Sequence, residues 1–371
     1  MVGGGPDLLP LIDNFNAYTN HVWQHTVRIM GGGEGLGVSC FSASSCVAVG
    51  TDGLSSIALT SRRLFGSWRV DQVPEGVAHL TSISCATSLD CVAVGSTFPN
   101  SAIVMTTDGG ATWSEVDQPP FTTLVSVSCP TPSRCMAMGY PLATYNGPQM
   151  FTTTDGGQSW TRTQLDGVID GEALNVDCTS SEHCVLLGPD VPPPTANGYY
   201  TDDFGASWNT SVTPGVFAGF GMTCTPTGHC VAVGPQFLVS TDGGMTWASE
   251  SQEIPYLVSV SCPSDNACVT VGGIDNLPGL AYASSDGGQT WQALALPSST
   301  LSLTSVACPS VSMCVAGGAP SVDGSTIVVT QDGGTTWTAE STPVGTAVDA
   351  VACPGIDECI ASAGSDILIR H

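Results

Sequence analysis

The sequence predicts an all-β fold: a single eight-bladed β-propeller of four-stranded blades, carrying one C-x5-C disulfide per blade and closed by an N-terminal strand that pairs with the C-terminal blade. Three observations carry this. All 16 cysteines fall into pairs six positions apart. A Thr/Ser-x-Asp-Gly-Gly turn recurs just ahead of a tryptophan. The eight tryptophans themselves follow one another at steps of 45, 45, 47, 48, 39, 44 and 46 residues, from Trp23 to Trp337. That period is the length of a four-stranded propeller blade.

Within each unit the cysteines come first. The pairs are Cys40 and Cys46, Cys85 and Cys91, Cys129 and Cys135, Cys178 and Cys184, Cys224 and Cys230, Cys262 and Cys268, Cys308 and Cys314, and Cys353 and Cys359. Apolar and polar residues alternate on both sides, as in Val125-Ser126-Val127-Ser128 and Cys135-Met136-Ala137-Met138, which marks two strands of period 2. A hairpin between them brings the two Cα atoms within the ~4.4 to 6.8 Å of a disulfide. Each bridge closing so short a loop contributes about 2 kcal/mol on the chain-entropy estimate. Zinc needs the pairs to converge at tighter spacings, so no metal site is assigned to the cysteines.

The turns come next. Thr107-Asp-Gly-Gly-Ala-Thr-Trp113 recurs at Thr154 to Trp160, Thr241 to Trp247, Ser285 to Trp291 and Gln331 to Trp337, with a variant from Thr201 to Trp208. Glycine supplies positive φ, and the carboxylates of Asp108, Asp155, Asp203, Asp242, Asp286 and Asp332 accept hydrogen bonds from nearby backbone amides. These aspartates therefore read as structural. Each unit has strand A ending at the first cysteine, strand B starting at the second, strand C before the turn and strand D from the tryptophan. The eighth unit stops after a strand C at Asp366 to Arg370, and His21 to Arg28 has the pattern of its missing strand D. Residues 1–18 form an N-terminal arm and residues 19–371 the propeller; seven blades with a spare half-blade is the competing arrangement. Two turns depart from the pattern, Asn16 to Trp23 and Ser61 to Trp68, and nothing in the sequence explains Arg62-Arg63-Leu64-Phe65.

The motif S/T-x-D-x-G-x-T/S-W resembles the Asp-box, or BNR, repeat of β-propellers such as sialidases, xyloglucan hydrolases, sortilin-type receptors and the photosystem II assembly factor. Six copies span residues 106 to 337. The cassette SCPxxxxCxAVG is similar to repeats in secreted proteins of high-GC Gram-positive bacteria. Together the resemblances cover nearly the whole chain and imply a fold more than an activity. A sialidase site is not implied, since it needs three converging arginines, and Arg62, Arg63, Arg69, Arg134 and Arg162 are not on inner strands. A xyloglucan hydrolase sets paired acids between two propeller domains, where this chain has one.

Composition sets compartment and partners. Sixteen paired cysteines favour an oxidising location, secreted or at the cell surface, although Met1-Val-Gly-Gly-Gly-Pro has no signal-peptide character. The net charge of −25 comes with only 11% charged residues and no lysine, an absence the sequence does not account for. Nucleic acid is an unsuitable partner, because phosphates meet repulsion. No apolar run is long enough to span a membrane. A Ser/Thr/Gly-rich acidic surface suits neutral polysaccharide or cations.

Function is expected on the face carrying the B-C and D-A loops, whose lengths vary on a rigid scaffold. Blades three and four gather Tyr140, Tyr145, Asp166, Asp170, Glu172, Asp190, Tyr199 and Tyr200 in one sector, and Asp177 is the one acid on the channel side of the inner strands. Carboxylates with aromatic platforms fit recognition of a carbohydrate or cell-surface ligand. They also fit glycoside hydrolysis or lysis with Asp166, Asp170, Glu172 and Asp190 as acid, base or nucleophile. No cofactor is implied, calcium being the one ion these oxygens suit. The segment Pro6 to Tyr18 adds a third expectation, self-association into surface layers or filaments. No other catalytic fingerprint occurs.

Overall fold

The computed structural model describes residues 23–28, 34–42, 45–51, 56–61, 68–97, 99–117, 120, 122–141, 149–165, 175–187, 198–214, 221–249, 256–274, 277–321, 327–343, 345–356, 358–364 and 366–370. They form eight four-stranded antiparallel sheets. Seven are simple meanders in chain order. The eighth has the spatial order Ala350–Gly355, Glu358–Ala363, Asp366–Arg370, Trp23–Arg28, so the first described strand supplies the outer edge of the last blade. Trp23 pairs with Arg370 and Arg28 with Asp366. The blades are numbered from 1 (34–72) to 8. The arm 1–18 and the departure at Arg62 to Phe65 lie outside the described residues.

Period-2 patterning explains why the sheets stack. Every strand B is buried on both faces, as in Cys91–Ser96 and Cys230–Val233, because each inner sheet is sandwiched between two neighbours. Eight hydrophobic clusters result, each straddling one pair of adjacent blades and each holding or touching one tryptophan. Trp113 of blade 2, for example, packs with Val47, Val49 and Ala58 of blade 1. Burying one such side chain removes ~150 to 250 Å² from water, worth about 4 to 6 kcal/mol as an upper value. The seam between blades 8 and 1 is built like the rest, from Ile360, Ile367 and Ile369 against Leu59 and Trp68, and that closes the ring at eight blades.

All eight cysteine pairs are bridged, one per blade. Their Cα atoms are 4.0 to 4.2 Å apart, closer than the expected range. The reason is register: Cys40 faces Cys46, Cys85 faces Cys91 and Cys224 faces Cys230 directly across the ladder, in pairs with the short spacing of non-hydrogen-bonded positions.

The glycine ending the CVAVG cassette has a separate cause. Strand A carries a bulge between Leu80 and Ser82 in blade 2, and between Leu124 and Ser126 in blade 3, which presses its backbone onto strand B. A Cβ on Gly95 would sit 1.9 Å from the His79 carbonyl oxygen, and one on Gly139 2.0 Å from that of Thr123. Only glycine fits there.

Candidate functional site

The ring has two unlike ends. At one end, the A-B hairpins and the C-D turns meet. The first glycine amide of each turn donates to the stapled hairpin of its own blade, from Gly109 to Leu89, Gly156 to Ser133, Gly243 to Gly228, Gly287 to Asn266 and Gly333 to Ser312. In the variant turn Phe204 takes that position, at φ 56°, and donates to Glu182. Its ring is buried and capped by the Arg134 guanidinium 5.2 Å away, which offsets the cost of a left-handed non-glycine residue.

The turn aspartates are consumed by their own turns. Asp108 Oδ1 accepts the Thr112 amide at 2.9 Å and Oδ2 accepts the Thr112 hydroxyl at 2.7 Å. The same pair of bonds recurs at Asp155, Asp203, Asp242, Asp286 and Asp332. The Thr112 amide and hydroxyl hold the Asp108 carboxyl down at about 2, and the Ser159 hydroxyl and amide do the same for Asp155. Such carboxylates stay ionised and already have their partners.

Inner strands form the axial wall. Their side chains reach sideways to the next blade. Ser39 Oγ accepts the Cys85 amide, Ser84 that of Cys129, Ser128 that of Cys178 and Ser261 that of Cys308. Asp177 occupies this position in blade 4, its Oδ2 accepting the Cys224 amide at 2.9 Å. Burial pushes its carboxyl up from 3.8 to about 6, against the lowering effect of the Cys224 and Cys178 amides. Asp177 is thus a link in a ring of interblade bonds.

The opposite end carries the B-C and D-A loops. Tyr256, on the D-A loop into blade 6, is 50% exposed and has φ 67°, an uncommon conformation for an aromatic residue. Its carbonyl accepts the Gly273 amide, which ties it to the base of a B-C loop presenting the exposed Ile274 and Leu277. Gly273 to Leu280 is one of the long B-C loops legible in the sequence, but Tyr256 is not among the site residues expected from it. The signal for Tyr256 was an aromatic residue at the end of a D-A loop, next in space to the Gly272-Gly273 pair.

Of the residues expected in the sector of blades three and four, three tyrosines are described. Tyr199 is buried in the core between them with Met138 and Leu186. Tyr200 lies half-buried with its ring 6.4 Å from that of His183, toward the stapled end. Tyr140 pairs with Thr123 at the loop end of strand B. Tyr145, Asp166, Asp170, Glu172 and Asp190 lie outside the described residues. Among the described residues no group of three His, Cys, Asp or Glu side chains is placed to hold a metal ion, and no helix is long and apolar enough to cross a membrane.

No protein-family model matches the chain, and no curated protein matches it. Solved structures do. The chain is similar to YCF48 bound to D1 peptide, with 21% identity over 83% of this chain and 95% of that one and a TM-score of 0.59. It is similar to YCF48 from Cyanidioschyzon merolae, with 15% identity over 94% and 99% and a TM-score of 0.62. It also resembles the GH74 xyloglucanase from Xanthomonas campestris, with 14% identity over 94% of this chain but 53% of that one and a TM-score of 0.55. At these identities the likeness is one of fold.

Proposed function

We propose that this chain is an extracellular recognition propeller of the Asp-box type, holding a neutral carbohydrate or other cell-surface ligand on its B-C/D-A loop face. Tyr256 carries the reading: an exposed ring held in a strained backbone conformation beside Ile274 and Leu277 is a platform for the apolar face of a ligand. Eight bridges suit an oxidising compartment. The repeated hydrogen-bonded Asp turns support the repeat type.

The alternative is a glycoside hydrolase or lyase using Asp166, Asp170, Glu172 and Asp190, favoured by the fold shared with a GH74 xyloglucanase. One experiment separates the two. Purified protein is incubated with a panel of neutral and acidic polysaccharides, recording depletion from solution and release of new reducing ends. Retention without new ends, lost in Tyr256→Ala while the melting temperature holds, is the expected result. New ends that vanish in Asp170→Asn or Glu172→Gln establish the enzyme instead, and retention by none of the panel overturns both.

A further inference from the structure

The stapled end of the ring is not uniform. Each blade has five residues between its two cysteines, and in blades 3, 4, 5 and 6 none of these is Val, Leu, Ile, Met or Phe. Blades 7, 8, 1 and 2 each present one such side chain to solvent, Val311, Ile356, Phe41 and Leu89, all between 47 and 61% exposed. The four blades are consecutive around the ring. The Val351 amide of blade 8 donates to Ser305 of blade 7, the seam between blades 8 and 1 is filled by Ile360 and Leu59, and Ser45 of blade 1 donates to the Ser88 carbonyl of blade 2. Apolar tips on neighbouring hairpins, unlike scattered single residues, mark a surface that something covers.

The chain enters the ring at the middle of this arc. Trp23 lies opposite Arg370, and Arg370 opposite Cys359, so the first described residue stands level with the staple of blade 8. Trp23 is on the outer strand and Ile356 in the inner hairpin, and crossing the blade's three strand spacings takes about 14 Å. The residues ahead of Trp23 lie outside the described residues, and their sequence holds Leu8-Leu9-Pro10-Leu11-Ile12 and Phe15. Ten residues separate Ile12 from Trp23 and span up to about 33 Å when extended. Moving one blade sideways adds about 10 Å. The apolar run therefore reaches the hairpins of blades 7, 8 and 1, and its earlier residues extend toward blade 2.

Tether length decides between occupants. A segment joined to its target by so short a link has an effective concentration in the millimolar range, well above that of a second copy in dilute solution. The distribution of the tips points the same way. Apolar hairpins flank the chain joint on both sides, and the hairpins across the ring from it are polar. A partner unconnected to this chain has no reason to favour the blades around its point of entry, whereas the chain's own arm does.

We propose that the apolar hairpins of blades 7, 8, 1 and 2 are the docking surface for this chain's own segment Leu8 to Phe15, which runs back from Trp23 across the stapled end. The contact takes the place of the self-association expected from Pro6 to Tyr18. One end of the ring is closed by its own chain, and the loop face carrying Tyr256 is left as the open one. The docking does not depend on what the loop face binds, so the two readings fail separately.

The test places a benzophenone amino acid at position 11 of the full chain and mixes it with an equal amount of isotope-labelled parent protein. After irradiation, mass spectrometry identifies the linked peptides. Links from position 11 to the hairpins between Cys40 and Cys46, Cys308 and Cys314, or Cys353 and Cys359, all in unlabelled chain, are the expected result. A labelled partner peptide makes the surface an interface between copies and overturns the proposal, as do links elsewhere on the ring or none at all. The double variant Phe41→Ser, Ile356→Ser changes only exposed side chains. It should lower the linked yield and speed thermolysin cleavage between Leu8 and Phe15, each about tenfold, because cleavage follows the undocked population. Should that variant fail to fold, Leu8→Ser, Leu9→Ser in the probe-bearing chain must lower the yield to the same hairpins. Yield unchanged by these substitutions also overturns the proposal.

Discussion

Asp177 Oδ2 accepts the amide of Cys224 at 2.9 Å, so a carboxylate stands in blade 4 where blades 1, 2, 3 and 6 use a serine hydroxyl for the same interblade bond. Its pKa is raised from 3.8 to about 6 by burial. Between those values the folded chain keeps a proton that the unfolded chain releases, so this group's contribution to stability falls as pH rises through the window. Replacing it with Asn or Ser keeps an acceptor for Cys224 without the charge. Asp177→Asn is expected to raise stability at pH 7.5 by about 2 to 3 kcal/mol and to change little at pH 4, as read by thermal unfolding at both pH values. A variant less stable than the parent at pH 7.5 would refute the account.

The turn aspartates act in the opposite direction. Asp108 and Asp155 are held at about 2, below the ordinary 3.8, so the stability they contribute is complete above 3.8 and is lost as pH falls toward 2. The double variant Asp108→Asn, Asp155→Asn should melt lower than the parent at pH 6, yet lose less on acidification from pH 5 to 2. Parallel melting curves across that range would show that the turns do not carry the acid sensitivity.

Steric crowding at the bulge makes a sharper prediction. Gly139→Ala places a methyl 2.0 Å from the Thr123 carbonyl oxygen, whereas a Cβ on the exposed Gly345 meets nothing within 4 Å. The first should cost about 3 kcal/mol or abolish folding, and the second should be near neutral. Urea unfolding of the two variants side by side checks it.

Arg370 tests the chain joint. Only 1% exposed, it donates from Nε to Glu340 Oε2 and from Nη2 to Glu340 Oε1, both at 2.9 Å, linking the last strand to the outer strand of blade 7. Glu340→Gln removes the counter-charge from a buried guanidinium and should cost about 3 kcal/mol. A loss under about 0.5 kcal/mol in the same unfolding assay would place this pair with ordinary surface ion pairs.

Much of this architecture is legible from local spacing. The phase of Trp23 to Trp337 and the C-x5-C rule report hairpins and blades because both are contacts within about fifty residues of chain. Ring closure was readable too, since Asp366 to Arg370 lacked an outer strand and His21 to Arg28 had the pattern of one. Contacts between blades were not. Alternation tells that Ser84 faces away from the core of its sheet, but not that the Cys129 amide of the next blade waits there. The glycine of CVAVG is visible in the sequence while the bulge that demands it is not. Tyr256 is a single residue, and its meaning rests on backbone conformation, which neither composition nor spacing records. The loop carboxylates of blades three and four remain a reading from sequence.

Among the described residues the strand Trp23–Arg28 has one strand partner, Asp366–Arg370. During synthesis Trp23–Arg28 waits for its partner until Asp366–Arg370 has left the ribosome. Every shorter product is an open arc, with the face of blade 1 uncovered and a strand edge free to pair with another chain. Emergence of Asp366–Arg370 and closure of the ring are therefore one event, and a product that stops short of that strand is marked by its unpaired edge as unfinished.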